Sequence, residues 1–181
     1  MKNHFRRAAF LFLLVALLGC NQRTDKDKGN VILTIESFDG LPVRVSVNAT
    51  DLVQVEEINL SNIPKDPNGT VSSLMDIELR SFEVTYTRAD RGTRKPPARV
   101  RGFFGNVPVG GDDTINNLDV LGIDQLRAAP LSDLLFENGG FDKETGDQSI
   151  QLNVSLRFFG RTLAGDTIAS NTATFGIEFV P

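Results

Sequence analysis

Ser149-Ile-Gln-Leu-Asn-Val-Ser-Leu-Arg-Phe-Phe159 sets Ile150, Leu152, Val154, Leu156 and Phe158 on one parity and Gln151, Asn153, Ser155 and Arg157 on the other. Side chains alternate faces along a strand, so five apolar residues in register describe a strand with one face in a core and the other toward water. A 3.6-residue period would scatter the same residues around a helix. The chain is therefore read as mostly β, built around this strand.

The same pattern recurs on both sides of it. Downstream, a turn at Ala164-Gly165-Asp166 precedes Asn171 to Val180, where Ala173, Phe175, Ile177 and Phe179 alternate with Thr174, Gly176 and Glu178. Upstream, Asp76 to Arg88 carries Ile77 and Leu79 on one parity and Phe82, Val84 and Tyr86 on the other, which places a β-bulge near Arg80-Ser81. Ala98 to Phe104 reads as the next strand. Nearer the start, Val31 to Ser37, a turn at Asp39-Gly40 and the alternating Val43, Val45 and Val47 read as a hairpin, with Asp51 to Leu60 as a third strand and Pro64 to Gly69 as a turn-rich loop. Asp112 to Gly140 lacks clean alternation. It reads as a crossover loop between two sheets, with one short helix from Pro130 to Phe136 framed by a proline at its first turn and Gly139-Gly140 after its last.

Seven or eight short, half-buried strands define a β-sandwich over residues 31–181 as a single domain, with a small β-barrel as the alternative. The ending, a strand, then Ala164-Gly165-Asp166, then a strand, resembles the closing hairpins of bacterial immunoglobulin-like domains. That likeness implies an immunoglobulin-like sandwich and carries no functional residue.

The first twenty residues have a different build. Lys2, Arg6 and Arg7 precede an apolar run from Ala8 to Leu18, which ends in Leu17-Leu18-Gly19-Cys20. A basic start and an apolar segment of this length make a signal peptide, and eleven residues are too few to cross a hydrocarbon core about 30 Å thick. The tetrapeptide resembles the lipobox of bacterial lipoproteins, with Leu17 and Gly19 at the positions read by the lipoprotein signal peptidase and Leu18 where a small residue is usual. The resemblance implies that residues 1–19 are removed and that Cys20 receives lipid. It also implies outer-membrane sorting in a two-membrane cell, because Asn21 rather than Asp follows the cysteine. The ten residues Asn21 to Asn30 contain no apolar side chain and read as a flexible tether.

Without residues 1–19 the chain holds 16 basic and 23 acidic residues, a net charge near −7. That acidity argues against a nucleic-acid partner. The only histidine is His4 and the only cysteine is Cys20. A Ser-His-Asp triad, a Cys-His pair and zinc sites built on His or Cys therefore lack their parts, and no cofactor is expected. Carboxylate chemistry remains open through Asp112, Asp113, Asp142, Glu144 and Asp147, as in a hydrolase acting on envelope glycans.

Three further features suit binding. Asp142-Lys-Glu-Thr-Gly-Asp147 spaces Asp142, Glu144 and Asp147 around a glycine turn as calcium ligands would be, the alternative being a plain polar turn. Arg88, Arg91, Arg94, Lys95, Arg99 and Arg101 gather on one stretch against a single Asp90, a positive patch for an anionic glycan or an acidic envelope protein, or simply a solvated hairpin. Phe103 and Phe159 each have a neighbouring phenylalanine that must face the other way, which puts them among arginines on an outer face, where they would anchor a partner unless the 112–140 segment covers them. The sequence thus points to a membrane-anchored, non-catalytic binding or structural lipoprotein of the bacterial envelope.

Overall fold

All five core-parity residues of the Ile150–Phe158 run are sealed from solvent. The computed structural model describes residues 29–181, so the signal peptide, Leu17, Gly19, Cys20 and nearly all of the tether lie outside the described residues. Nine strands follow in order: β1 (Val31–Asp39), β2 (Arg44–Ser46), β3 (Val53–Pro64), β4 (Ile77–Arg88), β5 (Arg99–Val107), β6 (Asp112–Leu121), β7 (Ile150–Thr162), β8 (Thr167–Ala169) and β9 (Ala173–Val180). One short helix, α1 (Ile123–Leu126), follows β6, and 3-10 turns occupy Ser73–Met75, Leu131–Leu134 and Phe136–Asn138.

The strands form two sheets, one in the order β1-β3-β6 and the other β2-β9-β7-β4-β5, with β8 paired to the end of β7. Strand β7 is central because its inward face is apolar throughout, so it can be flanked on both sides, by β4 and β9, without exposing a core residue. The bulge in β4 falls between Leu79 and Ser81 and is shared by both of its neighbours. It lets Ile77 and Leu79 and then Phe82, Val84 and Tyr86 all face inward despite their opposite parities. Leu33, Ile58, Leu60 and Ile115 from the first sheet join Leu79, Val84, Leu152 and Phe158 from the second in one core. The sheets stay separate ladders and do not close into a barrel.

Side chains tie the sheets at several places. The Tyr86 hydroxyl donates to the Val120 carbonyl at 2.7 Å, and burial pushes its pKa up to about 12. Asn171 treats the backbone of Ile35 as a strand neighbour would, accepting from its N–H at 2.7 Å and donating to its carbonyl at 3.2 Å. Buried Asn62 donates to the carbonyls of Met75 and Val107. Each bond satisfies backbone groups that the ladders leave open.

Several expectations are corrected. The 112–140 segment is not all crossover loop: Asp112–Leu121 is a strand paired with β3, and its alternation is blurred where Asn117 takes a left-handed backbone at φ 53°. The helix expected at 130–136 is a 3-10 turn at Leu131–Leu134, and the α-helix lies earlier, at Ile123–Leu126. The first two runs are not a hairpin. Strand β1 pairs antiparallel with β3, whereas β2 crosses to the other sheet and runs parallel to β9, so one interrupted edge serves both sheets. Strand β8 is three residues long, too short for an alternation to show.

Replacing Phe158 by Ala should lower the unfolding free energy by about 3–5 kcal/mol, while Phe104→Ala should change it by about 0.5 kcal/mol or less, since Phe104 is 90% exposed. Urea titration followed by circular dichroism checks both.

Candidate functional site

The arginine-rich stretch and the Asp142–Asp147 turn, 54 residues apart at the Arg88–Asp142 hydrogen bond, meet at the pole where β4 ends and β7 begins. Arg88 is the last residue of β4, and its side chain is only 3% exposed. Its guanidinium meets Asp90 through Nε at 2.7 Å and Nη2 at 2.9 Å, a two-pronged pair, and Nη2 also reaches Asp142 at 2.6 Å. The remaining Nη1 donates to the Arg94 carbonyl at 3.0 Å, with the Glu144 carboxylate 3.8 Å away. Four of its five N–H donors are thereby bonded and three carboxylates surround it, as a buried cation requires. Gly92 lies beneath the guanidinium, where a Cβ would stand 2.2 Å from Arg88 Cζ, so only glycine admits this packing.

The carboxylates are held equally firmly. Asp90 also accepts from the N–H groups of Gly92 and Gln151. Asp142, with no exposed surface, accepts from the Glu144 N–H and the Thr145 hydroxyl. Gly146, at φ +80°, supplies the left-handed turn that brings the chain back so that the Asp142 N–H donates to the Asp147 carbonyl. Glu144 accepts from the Thr93 hydroxyl and from the N–H groups of Thr93 and Arg94, which cap the arginine loop. Burial, the largest influence, would raise the Asp90 and Asp142 pKa values, yet the bonds from Arg88 together with those from Gln151 and Gly92, or from Glu144 and Thr145, hold both below the usual carboxylate range. Glu144 is lowered chiefly by the Thr93 hydroxyl, then by the two N–H groups. Burial opposes the charge on Arg88, and its bonds to Asp90 and Asp142 raise its pKa nonetheless.

Asp142 and Glu144 spend their oxygens on Arg88 and the Thr93-Arg94 backbone, and Asp147 sits 3.8 Å from Arg91. Among the described residues no group of three acidic, histidine or cysteine side chains could hold a metal ion. The arginine stretch is divided among several partners. Arg94 pairs with Asp133, which Lys143 also meets, and Arg101 reaches across to Asp119 of β6. Arg99 is half-buried against Gly122, leaving Arg91 and Lys95 as the outward cations of the stretch. As for the carboxylates that a hydrolase would use, Asp112 and Asp113 start β6 at the opposite pole from Asp142, Glu144 and Asp147. The five do not form one facing set.

The aromatic pair divides differently from the expectation. Phe103 turns inward and meets Phe82 and Phe158 edge-on at 6.3 and 6.0 Å between ring centres, because the register places Arg99, Arg101 and Phe103 on the inner side of β5. Phe104 and Val100 take the outer face instead. Phe159 does face outward, half-covered by the Arg157 guanidinium 5.4 Å from its ring centre. Phe136, 88% exposed on its 3-10 turn beside the arginine loop, is the aromatic that sequence reasoning missed, since an irregular segment has no parity to read.

Next to the ion network, Arg44, Asp147, Gln151, Glu178 and Pro181 line an open hollow of about 520 Å³. Arg44 pairs with Glu178 there at 3.5 Å. The pole as a whole is an ion-paired loop platform with Phe136 bare and Phe141 partly exposed.

A scan against protein-family models finds no match, and a search of curated proteins finds none either. Among solved structures the chain is similar to the solution structure of a protein assigned to the late embryogenesis abundant (LEA) group. The TM-score is 0.45 and the identity 12%, over 97% of this chain and 86% of that one. No residue role is carried over from it.

Replacing Arg88 by Met leaves Asp142 charged and buried without its partner, and should cost about 3–5 kcal/mol of stability. Asp90, Asp142 and Glu144 have lowered folded pKa values, so the stability they supply is complete above about pH 5 and is lost as pH falls through the unfolded values near 4 and below. Urea midpoints measured from pH 7 to pH 3 should fall steeply for the parent and less steeply for Arg88→Met.

Proposed function

We propose that this chain is a lipid-anchored, non-catalytic module of the bacterial cell envelope, with an immunoglobulin-like sandwich that binds a partner or has a structural role. The observation that carries the reading is the apolar run ending in Leu17-Leu18-Gly19-Cys20, placed nine residues before Gly29. Cys20 takes the lipid, and Asn21 directs the chain to the outer membrane.

The strand order supports the immunoglobulin-like assignment. With β1, β3, β4, β6, β7 and β9 lettered A, B, C, E, F and G, one sheet is A-B-E and the other holds C-F-G, with β5 added beside C. The crossing of β2 to run parallel with the last strand fits an edge shared by the two sheets.

The committed state of the acidic residues supports a non-catalytic role. A general acid or nucleophile needs a carboxyl that faces substrate, whereas Asp90, Asp142 and Glu144 are bound into the arginine network. What that network fixes is a loop platform, and pre-organised loops lower the ordering cost of binding. Phe136 with the outward cations Arg91 and Lys95 gives the platform an aromatic and basic surface suited to an envelope protein or an anionic glycan.

Fatty-acid labelling of cells expressing the full chain tests the anchor. The parent should incorporate label and fractionate with membranes, and Cys20→Ala should do neither. Unlabelled parent protein in the soluble fraction would overturn the reading.

A further inference from the structure

The chain enters the domain at one pole, and exposed aliphatic side chains stand around that entry point. Gly29 is buried close to Ile168, and the Asn30 carbonyl accepts from the Lys65 N–H at 2.9 Å, which fixes the entry point beside the 65–76 loop. Around it stand Val71, Leu74 and Leu163, each at least half exposed. Leu74 and Leu163 belong to one patch, because the Ala164 N–H donates to the Leu74 carbonyl and the Leu163 N–H to that of Asp76. Val71 lines a hollow of about 290 Å³ together with Asn30, Pro64 and Met75. Ile32 and Ile63, directly paired across β1 and β3, continue the exposed apolar surface one residue further along the sheet. Three large aliphatic side chains on two neighbouring turns are more than a loop needs for solubility.

From these residues we infer that the pole carrying Val71, Leu74 and Leu163 is a membrane-contacting surface that seats in the interface of the bilayer to which Cys20 is anchored. The inference rests on the lipid-anchor reading. Its geometry follows from chain length. Eight residues separate Cys20 from Gly29, so even fully extended they hold the entry point within roughly 30 Å of the lipid. Strand β7 alone, at 13 residues, spans roughly 43 Å, so the opposite pole with Arg88 and Phe136 can lie farther from the membrane than the tether lets this one go.

The nearby carboxylates are turned into their own loops. Asp66 accepts from the Asn68 N–H, Asp76 from the Val109 N–H, and Asp166 faces the Thr162 hydroxyl. The contact is accordingly apolar. It requires no anionic lipid, and each aliphatic side chain it buries contributes in the manner of an interfacial anchor.

The chain contains no tryptophan, so a single introduced one reports its own surroundings. Leu163→Trp and, at the far pole, Phe136→Trp are each placed in the otherwise unchanged lipidated chain and reconstituted into phosphatidylcholine vesicles carrying brominated acyl chains. Mass spectrometry of the N-terminal peptide reads the lipid independently. The expected result is blue-shifted, bromine-quenched emission from the Leu163→Trp protein and unquenched emission from the Phe136→Trp protein, both unchanged by added salt. Lipidated Leu163→Trp protein that is as unquenched as the Phe136→Trp protein overturns the inference and leaves the anchor standing. An N-terminal peptide without lipid fails the anchor reading instead. In that event the contact is tested by coupling Cys20 of the Leu163→Trp protein to a maleimide lipid in the same vesicles, where unquenched emission overturns it and quenched emission upholds it. Quenching that appears only with phosphatidylglycerol present and vanishes in salt would also overturn the apolar contact.

Discussion

A buried cation must find its counter-charges, and the position of Arg88 at the end of β4 imposes that demand on one whole pole of the domain. The guanidinium cannot be left partly paired, so Asp90, Asp142 and the Arg94 carbonyl all converge on it. Their convergence decides the paths of two loops, 89–98 and 141–149, that have no secondary structure of their own. Glu144 then caps the first loop from the second, and Asp133 is drawn in through Arg94 and Lys143. What would otherwise be two long, independently moving connections becomes a single surface.

How much of this was legible depends on whether the signal was local. Strand β7 and its neighbours β4 and β9 were readable because one parity of each is apolar and a core accepts nothing else. The bulge at Leu79-Ser81 was readable for the same reason, as a parity change inside one strand. Strand β6 was not, because Asn116 and Asn117 break its alternation just where the backbone turns left-handed. The pairing of β1 with β3 rather than β2 was also hidden: Asp39-Gly40 looks like a hairpin turn, yet the chain leaves it for the other sheet.

The site follows the same rule. Both halves of the ion network were visible as charged stretches, but composition cannot say that a basic run and an acidic turn neutralise each other across 54 residues. Read separately, one suggested a positive patch and the other a cation site. Phe103 and Phe104 exchanged roles because the parity of β5 that carries Arg99, Arg101 and Phe103 is the inward one, and arginines beside a phenylalanine read as an outer face. Only Phe159 kept the face that its parity gave it. The two poles of the domain are therefore held differently. One is locked by charge, and the other receives the chain.

The account depends most on Arg88 and Asp142 acting as one unit, and a double-mutant cycle measures that directly. Unfolding free energies of the parent, Arg88→Met, Asp142→Asn and the double variant should show the second substitution costing little once the first is made, a coupling of about 2–3 kcal/mol. Losses that add to within about 0.5 kcal/mol would mean that the two residues stabilise the fold independently, and the locked pole would lose its basis.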